Sequence, residues 1–426
     1  MNRIKSKLKK YTASDYFIVL LFDVFAKILM VAATIFIIRI LTTKEYAIYI
    51  KFQSISSIMF SILGGGLAIA FVRFATEKIS RGNHNIYGLF ISCNLLIVGL
   101  TILLFSLFPL LNNVYGVATY TSCLALAYGG LLSLNKMNES YFQTKEQFRK
   151  SGVASNIKNV TLCISVVFVY LALRSISAEH IMLVTLFSSL VAFGIGFIWI
   201  RKNSSAHKSE SEMSQGILFE LIRESGWLIV YFVLVSLFDQ GCIIIMSNIA
   251  SDMDVAVYGV AAKYYMLMLT FLTSISTVLR IKTSKKEIVD DPNARIEFTK
   301  NWIKKVWKLA AGVCLLAILS AKFIFPILNG PDYNAAIPVF KILTVGVFIS
   351  YIFAPNVSVM MAAKLHKLLC VLALISFGIN CIICYALIPI WGAKAAAIAV
   401  VMSNAVLNGS STFIILKSKH KPVSLK

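Results

Sequence analysis

Residues Asp15–Arg73 read as two long apolar stretches joined by a short polar turn, Leu41-Thr42-Thr43-Lys44-Glu45-Tyr46. A helix needs about 20 consecutive apolar residues to cross a bilayer, and both stretches reach that length. The same plan recurs at Trp227–Arg280, where the turn is Ser251-Asp252-Met253-Asp254. The two copies can be laid on each other through Ala47-Ile48-Tyr49 and Ala256-Val257-Tyr258. A chain built this way opens each of two halves with a membrane hairpin.

Eight further apolar stretches of similar length complete the chain, and none alternates with the period of two that a barrel strand needs. With 58% hydrophobic and 14% charged residues in 426, the composition belongs to a polytopic helical membrane protein. The chain is therefore predicted to be an all-α integral membrane protein with about 12 transmembrane helices. The spans are placed at 15–40, 46–72, 86–109, 117–135, 153–173, 180–200, 226–249, 255–279, 307–328, 335–360, 367–389 and 393–416. This divides the chain into a six-helix bundle at 1–200, a polar linker at 201–225 and a second six-helix bundle at 226–426. The basic stretch Met1–Lys10 runs into the first span without a small-residue cleavage site, so that span is expected to be retained.

An even number of spans puts both termini on one side. The formal net charge of +22 follows the same geometry. Of 41 Lys and Arg, 31 fall in segments on the side of the termini, three in turns on the other side (Lys44, Arg174, Lys394) and seven within spans. Basic residues accumulate in cytoplasmic loops, so the termini and the linker are expected in the cytoplasm. The positive charge thus reads as topology and not as a nucleic-acid surface. Arg280–Lys308 is the longest and most basic loop. Its end, Phe298–Trp307, sets apolar residues at helical spacing with lysines between them, the pattern of an interfacial helix on an anionic leaflet.

No P-loop, H-E-x-x-H or G-x-S-x-G motif occurs, and the outer connections are short. The five histidines fall at span ends, and the eight cysteines lie within apolar runs as small core hydrophobes. Neither a metal nor a cofactor is expected. An enzyme of polysaccharide assembly would be expected to carry a large outer loop for its acceptor, which the chain lacks.

The charges inside the spans point to function. Each costs on the order of 2.5–3.5 kcal/mol on insertion scales. Arg39 and Lys158 lie near span ends, where a long side chain reaches the headgroups. Lys51, Lys263, Lys322 and Lys341 lie in the outer half of their spans, where topology disfavours basic residues, and they come from both halves of the chain. Together with Lys27, they are the candidate lining of a shared, water-filled, cationic cavity. Asp23 and Asp239 are the two acids within spans. Asp23 stands four residues before Lys27, the order in which a helical pair neutralises itself. Asp239 has no such partner on its own span, which makes it the candidate for ion coupling. Gln53, Gln240, Asn356, Asn380 and Asn404 either line the cavity or hydrogen-bond between helices. Gly64-Gly65-Gly66 predicts a kink or a close approach within the second span.

Five stretches carry a family resemblance. Arg39-Ile-Leu-Thr-Thr-Lys-Glu45-Tyr-Ala-Ile-Tyr49 resembles the first outer turn of polysaccharide flippases, with Ala47 in place of the usual glycine. Gly65–Arg73 is similar to the end of their second helix. Asp239 followed by Val257-Tyr-Gly-Val-Ala-Ala-Lys263, Leu328-Asn-Gly-Pro-Asp-Tyr333, and Asn380 with Leu387-Ile-Pro389-Ile-Trp-Gly392-Ala-Lys-Ala-Ala complete the set in order. The chain resembles the O-antigen (Wzx-type) branch of the multidrug/oligosaccharidyl-lipid/polysaccharide exporter superfamily. That resemblance implies two six-helix bundles around a central V-shaped cavity. It also implies an undecaprenyl-diphosphate-linked oligosaccharide as substrate, moved from the cytoplasmic to the periplasmic leaflet of the bacterial inner membrane. Membrane lipids, a polysaccharide polymerase and a chain-length regulator are the partners it implies. A multidrug or cation antiporter of the same superfamily is the alternative; its cavity should be acidic, against seven basic and two acidic residues here. A peptidoglycan-precursor flippase of the superfamily usually carries two further helices.

The topology is checked by reporter fusions at Ala206 and Lys426. Both should read cytoplasmic; a periplasmic signal at either breaks the twelve-span arrangement.

Overall fold

The structure, a computed structural model, describes residues 28–80, 86–173, 175–204, 215–283, 291–363 and 365–417. Among the described residues, a helix falls within each of the twelve predicted spans. In the first half these are α1 (Ile28–Ile40), α2 (Thr43–Phe60) continued through a π-helical turn (Ser61–Gly65) into α3 (Gly66–Ser80), and α4 (Ile86–Phe105). A short α5 (Phe108–Tyr115) then precedes α6 (Thr119–Thr144), α7 (Phe148–Ala172) and α8 (Ala178–Ser204). The second half holds α9 (Gln215–Ile249), α10 (Asp252–Thr283), α11 (Pro292–Asn329), α12 (Ala336–Ile352), α13 (Pro355–Ala362), α14 (His366–Trp391) and α15 (Ala393–Lys417). Among the described residues, eight helices are long and apolar enough to cross a membrane, or ten if each bent pair counts as one span. The pairs are α5 with α6, bent by 114°, and α12 with α13, bent by 40° at Pro355.

The chain divides into two compact units, residues 1–233 and 234–426, so that the division falls inside α9. Of the expected linker, residues 205–214 lie outside the described residues, as do Asp23 and Lys27. The first half of α9 packs within the first unit, where Glu220 pairs with Lys78 of α3 at 2.9 Å.

In the first unit α6 is the hub and touches α2, α3, α4, α5, α7 and α8. Small residues on α6 make this possible, as is usual where helices pack without a hydrophobic drive between them. A Cβ on Gly129 would lie 2.6 Å from Met59 Cβ. The Gly64–Gly66 run behaves as predicted: the helix takes a π turn there, and a Cβ on Gly64 would meet Ser133 Cβ at 2.5 Å. In the second unit α15 is central, contacting α10, α11, α12, α13 and α14. Large apolar side chains such as Leu309, Leu316, Leu319, Phe323 and Ile327 of α11 point outward, as a lipid-facing surface requires.

The basic loop 280–308 is not a loop for most of its length. The α10 helix continues to Thr283 and α11 starts at Pro292, with Asp291 capping it by accepting from Asn293 N at 2.8 Å. Phe298–Trp307 is therefore the first part of a 38-residue helix that runs straight on into the span. Proline at the first helical position and an uninterrupted run of helix formers explain this. Trp302 ties the segment to α12 by donating from Nε1 to Tyr351 O at 3.0 Å.

The sequence repeat is repeated in contacts. Thr42 caps α2 by accepting from Glu45 N at 3.3 Å, and Glu45 Oε2 accepts from Ala178 N, the first residue of α8, at 2.5 Å. In the second unit Ser251 Oγ accepts from Asp254 N at 3.1 Å and donates to Asp254 Oδ2 at 2.6 Å. Asp254 Oδ1 accepts from Ala393 N, the first residue of α15, at 3.2 Å. Thr42 and Glu45 fall on Ser251 and Asp254 in the overlay that matches Ala47-Ile48-Tyr49 with Ala256-Val257-Tyr258. Each half thus clamps the N-terminus of its last helix with a carboxylate from its first turn, which suits the positive end of the helix dipole. Asparagines repeat the pattern deeper: Asn138 donates to Phe193 O in the first unit and Asn356 to Asn408 O in the second.

Gly392 makes the second clamp possible. Its φ of +52° favours glycine, and an added Cβ would fall on the Asp254 carboxylate. Glu45→Ala and Asp254→Ala should each destabilise the protein by about 1–2 kcal/mol, the usual cost of a lost N-terminal cap. Gly392→Ala should cost more than Asp254→Ala. Thermal melts in detergent measure this; a Glu45→Ala protein that melts like the wild type removes the clamp from the stability of the fold.

Candidate functional site

Of the candidate cations, Lys51 is the most buried, at 6% exposure on α2. Apolar and aromatic neighbours on the same helix put it there. Tyr49 stacks on Phe52 at 6.0 Å, and Phe52 stacks on Tyr128 of α6 at 5.5 Å. Lys158 of α7, assigned to the headgroups from its position, instead reaches over the Tyr128 ring with Nζ 6.0 Å from its centroid. The first unit therefore sets two cations near one aromatic stack. Ser54, one turn from Lys51, bonds the Tyr115 hydroxyl at 3.2 Å and fixes the short α5 against α2.

The sequence missed one acid. Glu139 was placed beyond the fourth span, but α6 continues to Thr144. There Glu139 accepts from Lys136 Nζ at 2.8 Å and from Gln143 Nε2 at 2.9 Å. The signal was present: Lys136, Glu139 and Gln143 stand at spacings of three and four, which extend the helical period past the expected end.

In the second unit three candidates lie on helices that one aromatic cluster joins. Tyr264 of α10 packs on Phe325 of α11 at 4.6 Å and on Phe340 of α12 at 6.2 Å, and the two phenylalanines are 5.2 Å apart. Lys263 directly precedes Tyr264, Lys341 directly follows Phe340, and Lys322 lies one turn before Phe325. Tyr264 also donates to Asn329 Oδ1 at 3.0 Å, which locks α10 to the end of α11. Lys263 is half-buried, while Lys322 and Lys341 are exposed. Lys51 belongs to the other unit.

Asp239 is half-buried on α9, one turn before Cys242, and Tyr265 lies on α10. Tyr265 in turn accepts from Asn404 Nδ2 at 3.3 Å. Asn408 donates to Asn404 O at 2.9 Å, and Asn356 donates to Asn408 O at 3.1 Å and Thr412 Oγ1 at 2.8 Å. Of the two readings open for the span asparagines, the structure gives Asn356 and Asn404 the helix-to-helix one.

Comparison with known proteins follows this geometry. The sequence matches the family model described as polysaccharide biosynthesis protein over residues 13–279. No curated protein matches it. The fold is similar to that of the lipid II flippase MurJ in an inward closed conformation. That match has a TM-score of 0.74 at 16% identity and covers 94% of this chain and 87% of that one. It is also similar to an inward-facing multidrug resistance MATE family transporter of the MOP superfamily, with a TM-score of 0.72 at 12% identity over 92% of this chain and 97% of that one. A MOP superfamily transporter from Pyrococcus furiosus matches with a TM-score of 0.64 at 12% identity, over 95% and 92% of the two chains. With the fold of the MOP superfamily and a family match over more than half of its length, the chain belongs to the polysaccharide biosynthesis protein family.

Proposed function

We propose that the protein is a flippase that moves an undecaprenyl-diphosphate-linked oligosaccharide, an O-antigen or related surface repeat unit, from the cytoplasmic to the periplasmic leaflet of the bacterial inner membrane. The observation that carries this reading is the charge of the spans, with seven basic residues against Asp23 and Asp239. Sugar and diphosphate cannot cross hydrocarbon unaided, whereas a polyprenyl tail stays in lipid. A flippase must therefore shelter a polar anionic head group in an aqueous lumen. Lysines suit a diphosphate as strongly hydrated point charges. Lys51, Lys263, Lys322, Lys341 and Lys27 take that role in this reading. The halves 1–200 and 226–426 act as the two bundles, the linker 201–225 and both termini are cytoplasmic, and a polymerase and chain-length regulator receive the product.

The energy source follows by elimination. No nucleotide-binding motif is present in the sequence. Resetting the lumen then draws on an ion gradient, the membrane potential or removal of product. A carboxyl group that changes protonation or partner between conformations couples such a gradient, and Asp239 takes that role in this reading. The antiporter alternative keeps the fold and changes the cargo to a cation.

Three measurements test this. Cysteines placed at Lys51 and Lys263 should react with a water-soluble thiol reagent, and the Lys51→Ala/Lys263→Ala double mutant should lose most translocation of a fluorescent polyprenyl-diphosphate oligosaccharide in proteoliposomes. Full activity of that double mutant would sink the cationic-lumen reading. Asp239→Asn should fold normally and lose the dependence of translocation on the pH gradient; unchanged dependence in a folded mutant removes Asp239 from coupling. Extrusion of cationic dyes with no movement of the diphosphate lipid would favour the antiporter.

A further inference from the structure

The second unit holds a thiol pair that the proposed function does not use. Cys242 lies on α9 and Cys384 on α14, both fully buried, with their Sγ atoms 3.3 Å apart. As isolated core hydrophobes they would need no polar company, yet polar groups converge on them. Asn380, one turn before Cys384, places Oδ1 3.5 Å from Cys242 Sγ and 3.7 Å from Cys384 Sγ, where it accepts from either thiol. The carbonyl of Ala396 lies 3.5 Å from Cys242 Sγ. Asn380 Nδ2 is itself buried without a partner. Each cysteine stands seven residues before the outer end of its helix, about 10 Å along the axis at helical rise.

We propose that Cys242 and Cys384 are a reversible redox pair whose disulfide fastens α9 to α14. The two S–H bonds break and one S–S bond forms. Two electrons and two protons pass to a lipid-soluble oxidant of the quinone class, which becomes the hydroquinone. Burial of both thiols away from water selects an oxidant that dissolves in hydrocarbon. The sulfurs must close from 3.3 Å to about 2.05 Å, a movement within reach of side-chain torsions. The bond would join residues far apart in sequence, so it restricts the unfolded chain strongly. It would also hold α9, which carries Asp239, in its present contact with α14. A dithiol reductant reverses the step.

The test uses the purified full-length protein in detergent, exposed to duroquinone, whose ring is fully substituted and so resists addition of a thiol. The protein is then denatured, labelled with a maleimide and weighed. Eight labels are expected before treatment and six after, with a cross-linked peptide containing Cys242 and Cys384, and dithiothreitol should restore eight. Cys242→Ala and Cys384→Ala should each keep all seven labels. The oxidised wild type should melt several degrees higher than the reduced protein. Eight labels after treatment, or a cross-link mapped to other cysteines, would overturn the pair. An unchanged melting temperature in the cross-linked protein would overturn the fastening. None of these readouts depends on what the protein transports.

Discussion

In hydrocarbon an unpaired backbone N–H or C=O costs several kcal/mol, because no water is present to bond it. Everything else in this structure is arranged around that constraint. Each span closes its own backbone bonds as a helix, and departures occur where the protein itself satisfies the freed groups. The π turn at Ser61–Gly65 sits against α6, where Ser133 Oγ donates to Phe60 O at 3.3 Å. The break at Pro355 is covered by Asn356, which reaches α15. Because each helix needs no partner for its backbone, side chains decide how helices associate, and small residues such as Gly64 and Gly129 let helices approach closely.

The two carboxylate clamps follow from the same constraint. The first N–H groups of α8 and α15 have no intrahelical acceptor, and Glu45 and Asp254 supply one. The repeat is therefore more than a similarity of sequence: it preserves a particular contact between the first turn and the last helix of each half. Different side chains, Glu in one half and Asp in the other, make it. The shorter aspartate brings the chain close enough to require glycine at position 392.

The charged residues lie on this frame in two groups. In one unit Lys158 reaches over the Tyr128 ring of the Phe52–Tyr128 stack, and in the other Lys263, Lys322 and Lys341 lie on the three helices that the Tyr264–Phe325–Phe340 cluster joins. Rigid aromatic clusters hold the helices from which the flexible lysine side chains project. A frame of that kind fixes the helices on which the positive charge is carried. The asparagine ladder of α13 and α15 does the opposite work, joining helices where no charge is needed.

Most of the architecture was legible in the sequence. Length and hydropathy determined the number of spans, because the bilayer sets how many apolar residues a helix needs. The Gly64–Gly66 run announced its bend, since only glycines tolerate backbone at that distance. Helix ends were less legible: α6, α9, α10 and α11 all run past the apolar stretch, because helix propensity does not stop where hydrophobicity does. Hydropathy therefore ended α6 before Glu139, and Phe298–Trp307, read as an interfacial helix, is continuous with the span that follows it. The sequence could name Lys263, Lys322 and Lys341 by depth and sign, but it could not show that one aromatic cluster joins the three helices that carry them. It could align Glu45 with Asp254 but not show that both reach a helix more than a hundred residues away. Nor could it single out Cys242 and Cys384 from eight cysteines. Depth in the membrane is a one-dimensional property that a sequence encodes directly; which side chains meet across helices is decided only when the helices pack.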